Sequence, residues 1–406
     1  MGLRRSLVRF WRRKWARRTL KTLLVVAIFV AGVGFGDGRL AINFNRPNLI
    51  ASGLPDHLDY TTVNQVYQSL KANYDGNLSE GQILDGIKHG IAESTHDPYT
   101  EYFTPQEATQ FNNQLNNSFS GIGAELGADS SGNLQVIAPI AGTPAAKAGL
   151  QAQDLIASIN GVSTNGMSVD TAVSQIRGKA GTVVTLVIVR NRSQQLTFAI
   201  TRQNIIVPSI TTKILAGNIG YMTISTFAND TTDLAQKAAD QFVAAHVKAI
   251  VLDLRNDPGG LLDAAVHVSS LWLPQGQLIL EEKRGSVVEQ TYSSLGGDEL
   301  HNIPTVILIN GGSASASEIT TGALHDNNQA YVIGTKSYGK GVVQQLVNLG
   351  DGSQLKVTIA SWYRPDGQDI NKIGITPDKT VNLSAADISA NNDAQLNTAL
   401  SYLASH

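Results

Sequence analysis

The sequence predicts an α/β protein of several domains, and three features of its pattern support this fold class. First, an apolar strand, a glycine-containing turn and a helix follow one another twice, from residue 249 to about 270 and from 305 to 324, which is typical of a mostly parallel α/β core. Second, residues 118–203 form short apolar runs separated by glycines, as expected of a small β-barrel with helices. Third, apolar residues recur at helical spacing in residues 61–117, which predicts an N-terminal helical segment.

The domain order follows these changes along a chain of 406 residues, which is long enough for more than one core. We predict a basic head at 1–21, an apolar segment at 22–36, a linker at 37–60, an N-terminal helical region at 61–117, a β-rich domain at 118–203, an α/β core at 204–380 and a C-terminal tail with a packing helix at 381–406.

The start of the chain predicts membrane targeting. Residues 1–21 hold nine Lys and Arg and no acid, and an uncharged, mostly apolar run follows from 23 to 36. This pattern is typical of a signal peptide or a signal anchor. The run is shorter than the roughly 20 residues of a full span, but no clear cleavage site follows, so we favour an uncleaved anchor. The positive-inside rule then predicts a bacterial single-pass plasma-membrane protein with its body on the extracytoplasmic side.

Charge and cysteine content exclude several classes of function. Without the basic head, the chain has 22 basic and 33 acidic side chains, a net charge of −11, which disfavours nucleic-acid binding. The absence of cysteine excludes disulfides, thiol nucleophiles and thiolate metal sites. The eight histidines follow no metal-binding spacing, so we predict no metal and no cofactor.

The helical region has its own signals. Apolar residues at helical spacing predict two amphipathic helices, one from Val63 to Tyr74 and one from Ile83 to Ile91. A third helix should begin at Pro105, since Thr104 and Glu107 form a capping-box pattern around a proline at the first helical position.

Residues 118–203 carry their motifs in an order specific to one type of domain. The motifs are a glycine-rich strand entry at 119–124, a small-residue helix ending in Ala148-Gly149-Leu150, a strand ending in Asn160-Gly161 and a helix from Val169 to Arg177. This order resembles the PDZ domain, which binds the free C-terminus of a peptide by strand addition. The resemblance implies that backbone N–H groups of Gly121, Ile122 and Gly123 receive the carboxylate, with Thr171 to Ile176 lining the groove. The alternative is that these glycines serve only as tight turns.

Three serines lie in the turn between the apolar strand at 305–309 and the next helix. Backbone N–H groups at a helix start favour developing negative charge, so we interpret Ser315 as a nucleophile. A serine needs a base, and His325, ten residues on, would lie about 15 Å further along the helix. Lys340 is the alternative base if burial lowers its pKa by about 3 units. Spacing alone favours an exposed loop cation over a base at Lys340, and Lys336 competes with Lys340 as the candidate base.

A second resemblance decides among these alternatives. Asn310 to Glu318 followed by Gly339-Lys340-Gly341-Val342-Val343-Gln344, together with Leu252 to Gly260, resembles the C-terminal processing peptidases, or tail-specific proteases, and the similarity extends from about Val63 to Asp378. It implies that Ser315 is the nucleophile, Lys340 the general base and Gln344 the residue that orients the base. It also implies that the backbone N–H groups of Gly260 and Ala316 form the oxyanion hole.

Two positions depart from that family. Asp257 stands where asparagine is more frequent, and His325 stands where glutamine is common. A carboxylate beside the oxyanion loop could add unfavourable negative charge. We expect Ser313 and Ser317 to cap the helix and Glu318 to cap it or to pair with a cation.

The resulting expectation is a serine endopeptidase with a Ser/Lys dyad, acting outside the plasma membrane on proteins or peptides with free C-termini. Arg177, at the end of the PDZ helix, is expected to hold the PDZ domain near the core once a peptide is bound, or else to be a solvated arginine. The rival hypotheses are a catalytically inactive exported PDZ adaptor and an acyl-transferring enzyme. The sequence leaves open the substrate, the preferred tail, anchor cleavage, the activity of the resting state and the oligomeric state, a homodimer included.

Overall fold

The computed structural model describes residues 59–405, except for residues 130, 385, 386, 388 and 391. The predicted basic head, the apolar segment and nearly all of the linker therefore lie outside the described residues. The chain divides into two units after residue 79, and the described part of the first unit is residues 59–79. In the first unit, the described part forms one helix, where helical periodicity predicted it.

The helices of the described part are α1 (Thr61–Asn73), α2 (Glu80–Glu93), α3 (Pro105–Leu115), α4 (Pro144–Ala148), α5 (Val169–Ile176), α6 (Thr231–Ala244), α7 (Leu262–Ser270), α8 (Ala316–Asp326) and α9 (Ala394–Leu403). The first strands are β1 (Glu101–Phe103), β2 (Ser118–Gly121), β3 (Ala124–Ala128), β4 (Leu134–Pro139), β5 (Leu155–Ile159), β6 (Val162–Ser163), β7 (Val183–Arg190), β8 (Gln194–Thr201) and β9 (Gln203–Ile206). The remaining strands are β10 (Ile210–Leu215), β11 (Ile219–Ile224), β12 (Ala249–Asp253), β13 (Leu278–Arg284), β14 (Val287–Ser293), β15 (Thr305–Ile309), β16 (Tyr331–Gly334), β17 (Val342–Asn348), β18 (Gln354–Tyr363) and β19 (Lys379–Thr380).

A six-stranded sheet in the order β10-β11-β12-β15-β16-β19 forms the centre of the core domain. Only β10 and β11 are antiparallel, and every other pair is parallel. All residues of β12 and β15 are buried, as their β-branched, apolar composition predicts for central parallel strands. The predicted mostly parallel α/β core is therefore confirmed.

Apolar side chains cover the two faces of this sheet. Side chains on one face join a large cluster of buried apolar residues, to which α6, α7 and α8 also contribute. The other face packs against α9, whose Ala399 is fully buried with Leu396, Leu400 and Leu403 beside it, as the spacing of these residues predicts. Parallel strands end at one edge, so the turns after β12 and β15 lie side by side there.

A second, antiparallel sheet contains β17 and β18, the two strands that directly follow β16. It has the order β1-β18-β13-β14, with β17 also paired to β18. Strand β1, which belongs to the N-terminal helical region in sequence, pairs with β18 through Glu101 opposite Lys356. The capping box at Thr104 and Glu107 begins α3 right after β1, as predicted. This sheet therefore brings the region at 97–115 against the segment that contains Lys340.

The predicted PDZ domain is a separate sheet with its own core. Its strands follow the order β3-β4-β5-β7-β8, and β3 is an edge strand with α5 packed beside it. Buried aliphatic side chains from these strands and from α5 form the core. A free strand edge next to a helix is the geometry that strand addition requires.

The prediction of a single-pass plasma-membrane location is contradicted. Within the described residues, no helix is long and apolar enough to cross a membrane. The longest of these helices, α2 and α6, have 14 residues, whereas a span needs about 20 apolar residues. We correct the prediction accordingly; the segment at 22–36 from which it was made lies outside the described residues.

Candidate active site

Ser315 lies at the junction of β15 and α8 in a strained backbone conformation. It is the N-cap residue of α8 with φ 55° and ψ −113°. A residue with a Cβ rarely adopts a positive φ, and such strain concentrates at functional sites. The turn leaves the Ser315 side chain half-buried in the wall of a cavity. The helix that begins at Ala316 is longer at its start than predicted from the sequence.

The prediction that Ser313 and Ser317 cap this helix is wrong. The Ser313 hydroxyl donates to the carbonyl of Leu254 at 2.7 Å, and the Ser317 hydroxyl donates to the carbonyl of Asp257 at 2.9 Å. Both hydroxyls are fully buried. They join the turn after β15 to the turn after β12, because these neighbouring strands end at the same edge and leave backbone carbonyls that need donors.

Glu318 connects the turn that contains Ser315 to the loop that contains Lys340, and the sequence did not predict this role. Its carboxyl group is buried. One oxygen accepts hydrogen bonds from Ser337 Oγ at 2.5 Å and Gly339 N at 2.7 Å, and the other accepts from Ser315 N at 2.8 Å and Lys340 N at 3.0 Å. Glu318 therefore completes the cap of α8, as one of the sequence interpretations proposed. It also fixes the loop of Lys340 relative to Ser315. In the sequence, the only indication of a capping role was that Glu318 stands three residues after an N-cap serine.

The glycine turn after β12 approaches Ser315 closely. Gly259 has φ 93°, and a Cβ added to it would lie 2.8 Å from the Cβ of Ser315 and 2.9 Å from the backbone N of Ala316. Gly260 has φ 147°, and a Cβ there would lie 2.1 Å from the carbonyl oxygen of Phe227. Both positions therefore require glycine.

Backbone N–H groups at this turn differ in their hydrogen bonding. The N–H of Gly259 donates to Asp257 Oδ1 at 2.8 Å, and the N–H of Leu261 donates to the carbonyl of Phe227 at 2.7 Å. Among the described residues, no acceptor bonds the N–H of Gly260 or that of Ala316. The two N–H groups predicted to form an oxyanion hole are therefore unpaired in the described part of the chain; one follows Ser315 directly in sequence, and the other belongs to the glycine turn that lies against Ser315.

Lys340 lies in the loop before β17 and lines the same cavity as Ser315 and Gly260. Its ammonium nitrogen is 5.2 Å from the centre of the Tyr99 ring. Burial lowers the pKa of Lys340, and repulsion from Lys356 lowers it further, whereas the charges of Glu318 and Asp97 oppose this change. A lowered pKa favours the neutral amine that a base requires.

The other candidate residues are placed as follows. Lys336 is exposed. Gln344 lines the cavity, but its side-chain amide donates to the carbonyl of Val342 at 3.4 Å. His325 contacts two carboxylates, with Nδ1 3.0 Å from Asp326 and Nε2 3.1 Å from Asp378, which raise its pKa.

The cavity has a volume of 360 Å³ and is largely apolar apart from the groups named above. Its apolar walls come from α3, from the start of α7, from α8 and from the antiparallel sheet, and include Phe111, Leu262, Ile319, Val343 and Trp362. Such a cavity can hold an apolar side chain next to the serine hydroxyl.

The predicted carboxylate loop of the PDZ domain joins β2 to β3. The carbonyls of Ile122 and Gly123 accept hydrogen bonds from Ala145 N and Ile140 N at 2.7 and 2.9 Å. No acceptor within the described part of the chain bonds the N–H groups of these two loop residues. The Arg177 guanidinium lies 5.0 Å from the Phe119 ring centre, and the Cγ of Arg177 would lie 3.8 Å from a Cβ added to Gly121.

A strained serine at a helix start, a lysine whose pKa burial lowers and unpaired N–H groups in an α/β core form the arrangement expected of a serine hydrolase, and the PDZ-like sheet forms a second domain beside this core in sequence. The comparisons with known proteins agree with this class. The sequence pattern of Peptidase family S41 matches residues 218–381, and that of the PDZ domain matches residues 110–189.

Related proteins identify the family. The chain is 38% identical over 364 residues to a probable CtpA-like serine protease of Staphylococcus aureus, covering 89% of this chain and 71% of that protein. It is 35% identical over 320 residues to the carboxy-terminal processing protease CtpA of Bacillus subtilis, covering 78% of this chain and 68% of that protein. For another Staphylococcus aureus relative of the same description, the chain spans 65% of its length. The chain belongs to Peptidase family S41, the family of the carboxy-terminal processing proteases, as its motifs predict.

A solved structure shares the fold. The putative S41 protease from Bacteroides fragilis has a TM-score of 0.54 and 17% sequence identity, covering 87% of this chain and 99% of that chain. This likeness supports the α/β fold.

Proposed function

We propose that the protein is an endopeptidase that binds the free C-terminal tail of a protein or peptide in its PDZ domain and hydrolyses a peptide bond with a Ser315/Lys340 dyad. The observation that carries this proposal is the single cavity lined by Ser315, Lys340 and Gly260. These residues come from three segments separated by long stretches of chain, and each has the local chemistry that acyl transfer needs.

In the proposed reaction, the neutral Lys340 amine removes the proton from Ser315 as its Oγ attacks the substrate carbonyl carbon. The N–H groups of Gly260, in the glycine turn, and of Ala316, at the helix start, stabilise the oxyanion, because no acceptor among the described residues bonds either of them. Lys340 then returns the proton to the leaving amine, which breaks the peptide bond and leaves an acyl-enzyme. Lys340 next removes a proton from water as the water attacks the ester carbonyl carbon, and it returns this proton to Ser315 Oγ as the acyl–Oγ bond breaks.

Gln344 orients the Lys340 amine in this proposal. Its contact with Val342, at 3.4 Å, is weak and would be replaced by a contact with the amine. Gln344→Ala should then lower kcat with little change in KM.

The tail-binding step uses the edge of β3. A peptide added antiparallel to this edge would place its carboxylate at the N–H groups of the loop at 121–123. Arg177, held beside that loop by its contact with Phe119, adds positive charge for the carboxylate. Affinity should therefore fall when the C-terminal carboxylate of a peptide is replaced by an amide, which fluorescence anisotropy with the Ser315→Ala variant measures.

Two variants test the dyad. Ser315→Ala and Lys340→Ala should each abolish cleavage of an unfolded protein substrate while circular dichroism shows an unchanged fold. The matched controls are Ser286→Ala in the exposed β13–β14 turn and Lys336→Ala, an exposed lysine four residues from Lys340. Normal turnover by either dyad variant would contradict the proposal. Labelling of the wild type by a fluorophosphonate that is lost in Ser315→Ala separates an enzyme from an inactive adaptor.

A further inference from the structure

Asp257 is a fully buried carboxyl group behind the glycine turn. Its relative exposure is 0%. Its Oδ1 accepts the N–H of Gly259 at 2.8 Å, whereas its Oδ2 is buried without a hydrogen-bond partner in the described part of the chain. An ionised carboxylate with an unpaired buried oxygen is costly, so this side chain is expected to carry a proton over part of the ordinary pH range.

The backbone of Asp257 joins both sides of the nucleophile. Its carbonyl accepts the N–H of Ala314 at 3.0 Å and the hydroxyl of Ser317 at 2.9 Å. Its side chain holds Gly259, which itself lies against Ser315. One residue therefore contacts the segments before and after the serine as well as the loop that presents the Gly260 N–H.

In the described part of the chain, no cationic side chain forms a hydrogen bond or an ion pair with the carboxyl group of Asp257. From its own turn, Arg255 is held in ion pairs with other acids. From α8, the Glu318 carboxylate binds the donors described above. From the cavity side, Lys340 and Lys356 make no hydrogen bond or ion pair with Asp257 among the described residues. Nothing on the adjacent elements therefore anchors a negative charge at this position.

We propose that Asp257 is a positioning residue that supports the oxyanion site in its protonated form and slows the reaction when it ionises. The inference rests on the proposed function of Ser315 and Gly260. A protonated Asp257 still accepts the Gly259 N–H, so the glycine loop stays in place without added charge. An ionised Asp257 places a negative charge in buried surroundings of low dielectric constant, next to the site where an oxyanion develops. This charge raises the free energy of the transition state.

The pKa of the side chain agrees with this inference. Burial raises the pKa of Asp257 to about 7, against the smaller opposing effect of the hydrogen bond from the Gly259 N–H. As pH rises, a larger fraction of Lys340 is neutral and can act as a base, which increases the rate. Ionisation of Asp257 decreases the rate over the same rise in pH.

The pH dependence of kcat/KM tests the inference with a fluorogenic peptide. We expect a bell-shaped profile for the wild type, with a rising limb from Lys340 and a falling limb from Asp257 near neutral pH. Asp257→Asn keeps an acceptor for Gly259 and cannot ionise. It should lose the falling limb and exceed the wild type by about 10-fold or more at about pH 9. Asp263→Asn, which replaces an exposed acid in the first turn of α7, should keep the wild-type profile.

A falling limb of unchanged position in Asp257→Asn would overturn the inference. A second measurement does not depend on activity. The infrared carboxyl band is recorded against pH for Ser315→Ala and for Ser315→Ala/Asp257→Asn. The difference between the two variants should show one buried carboxyl group that ionises near neutral pH. Ionisation already complete at about pH 5 would also overturn the inference. Activity that persists in Ser315→Ala would instead refute the proposed function, so the two failures are distinguishable.

Discussion

Glu318→Gln would replace a carboxylate that accepts four hydrogen bonds by an amide with a single acceptor oxygen. In the wild type, the bonds come from Ser337 Oγ, Gly339 N, Ser315 N and Lys340 N, at 2.5 to 3.0 Å. In the variant, two of these donors would face an NH₂ group that cannot accept. Each buried donor left unpaired costs about 1–3 kcal/mol, so the free energy of unfolding should fall by about 2–6 kcal/mol.

Activity should fall as well, because Glu318 fixes the backbone of Lys340 relative to Ser315. A displacement of about 1 Å between reacting groups can cost about 100-fold in rate. We expect kcat/KM of the folded variant to fall by about that factor. Urea unfolding monitored by circular dichroism measures the stability, and active-site titration corrects the rate for unfolded enzyme.

The control is Glu289→Gln, which removes one partner of an exposed ion pair with Arg284 and should change stability by less than about 1 kcal/mol. The reasoning is refuted if Glu318→Gln matches this control in both measurements. A loss of stability with an unchanged rate per folded molecule would show that Glu318 supports the fold and does not position the lysine.

Three further predictions concern charge. The pKa of His325 is raised, mainly through its hydrogen bond to Asp326. Its contribution to stability is therefore present below its unfolded pKa of about 6.5 and is lost as pH rises through the folded pKa. His325→Gln should lower the free energy of unfolding at about pH 6 and have little effect at about pH 9, and equal urea midpoints of the variant and the wild type at about pH 6 would contradict this. Lys356→Met should raise the pKa of Lys340 by removing a repulsion, so the rising limb of the pH–rate profile moves to higher pH, and a move to lower pH would argue against it. Arg177→Ala should raise KM for a peptide with a free C-terminus but not for its amide, and equal changes would exclude a role in carboxylate binding.

Much of the fold could be predicted because it depends on local patterns. The continuous apolar runs at Ala249–Asp253 and Thr305–Ile309 predict central parallel strands, and both are completely buried. The capping box at Thr104 predicts the start of α3. The antiparallel sheet was not predicted, because pairing between β1 and β18, some 250 residues apart in the chain, leaves no local pattern.

For this protein, the sequence by itself determined the α/β class, the positions of most strands and helices, the PDZ motifs and, through family resemblance, the choice of Ser315 and Lys340. Only the tertiary structure decided which polar groups meet. Serine is a residue type that commonly caps helices, yet the hydroxyls of Ser313 and Ser317 donate to backbone carbonyls about 60 residues away in the chain. Glu318 accepts the backbone N–H of Lys340, and Asp257 is fully buried in the turn after β12. The physical reason is that propensity and periodicity act over a few residues, whereas desolvation and hydrogen bonding depend on segments that only folding brings together.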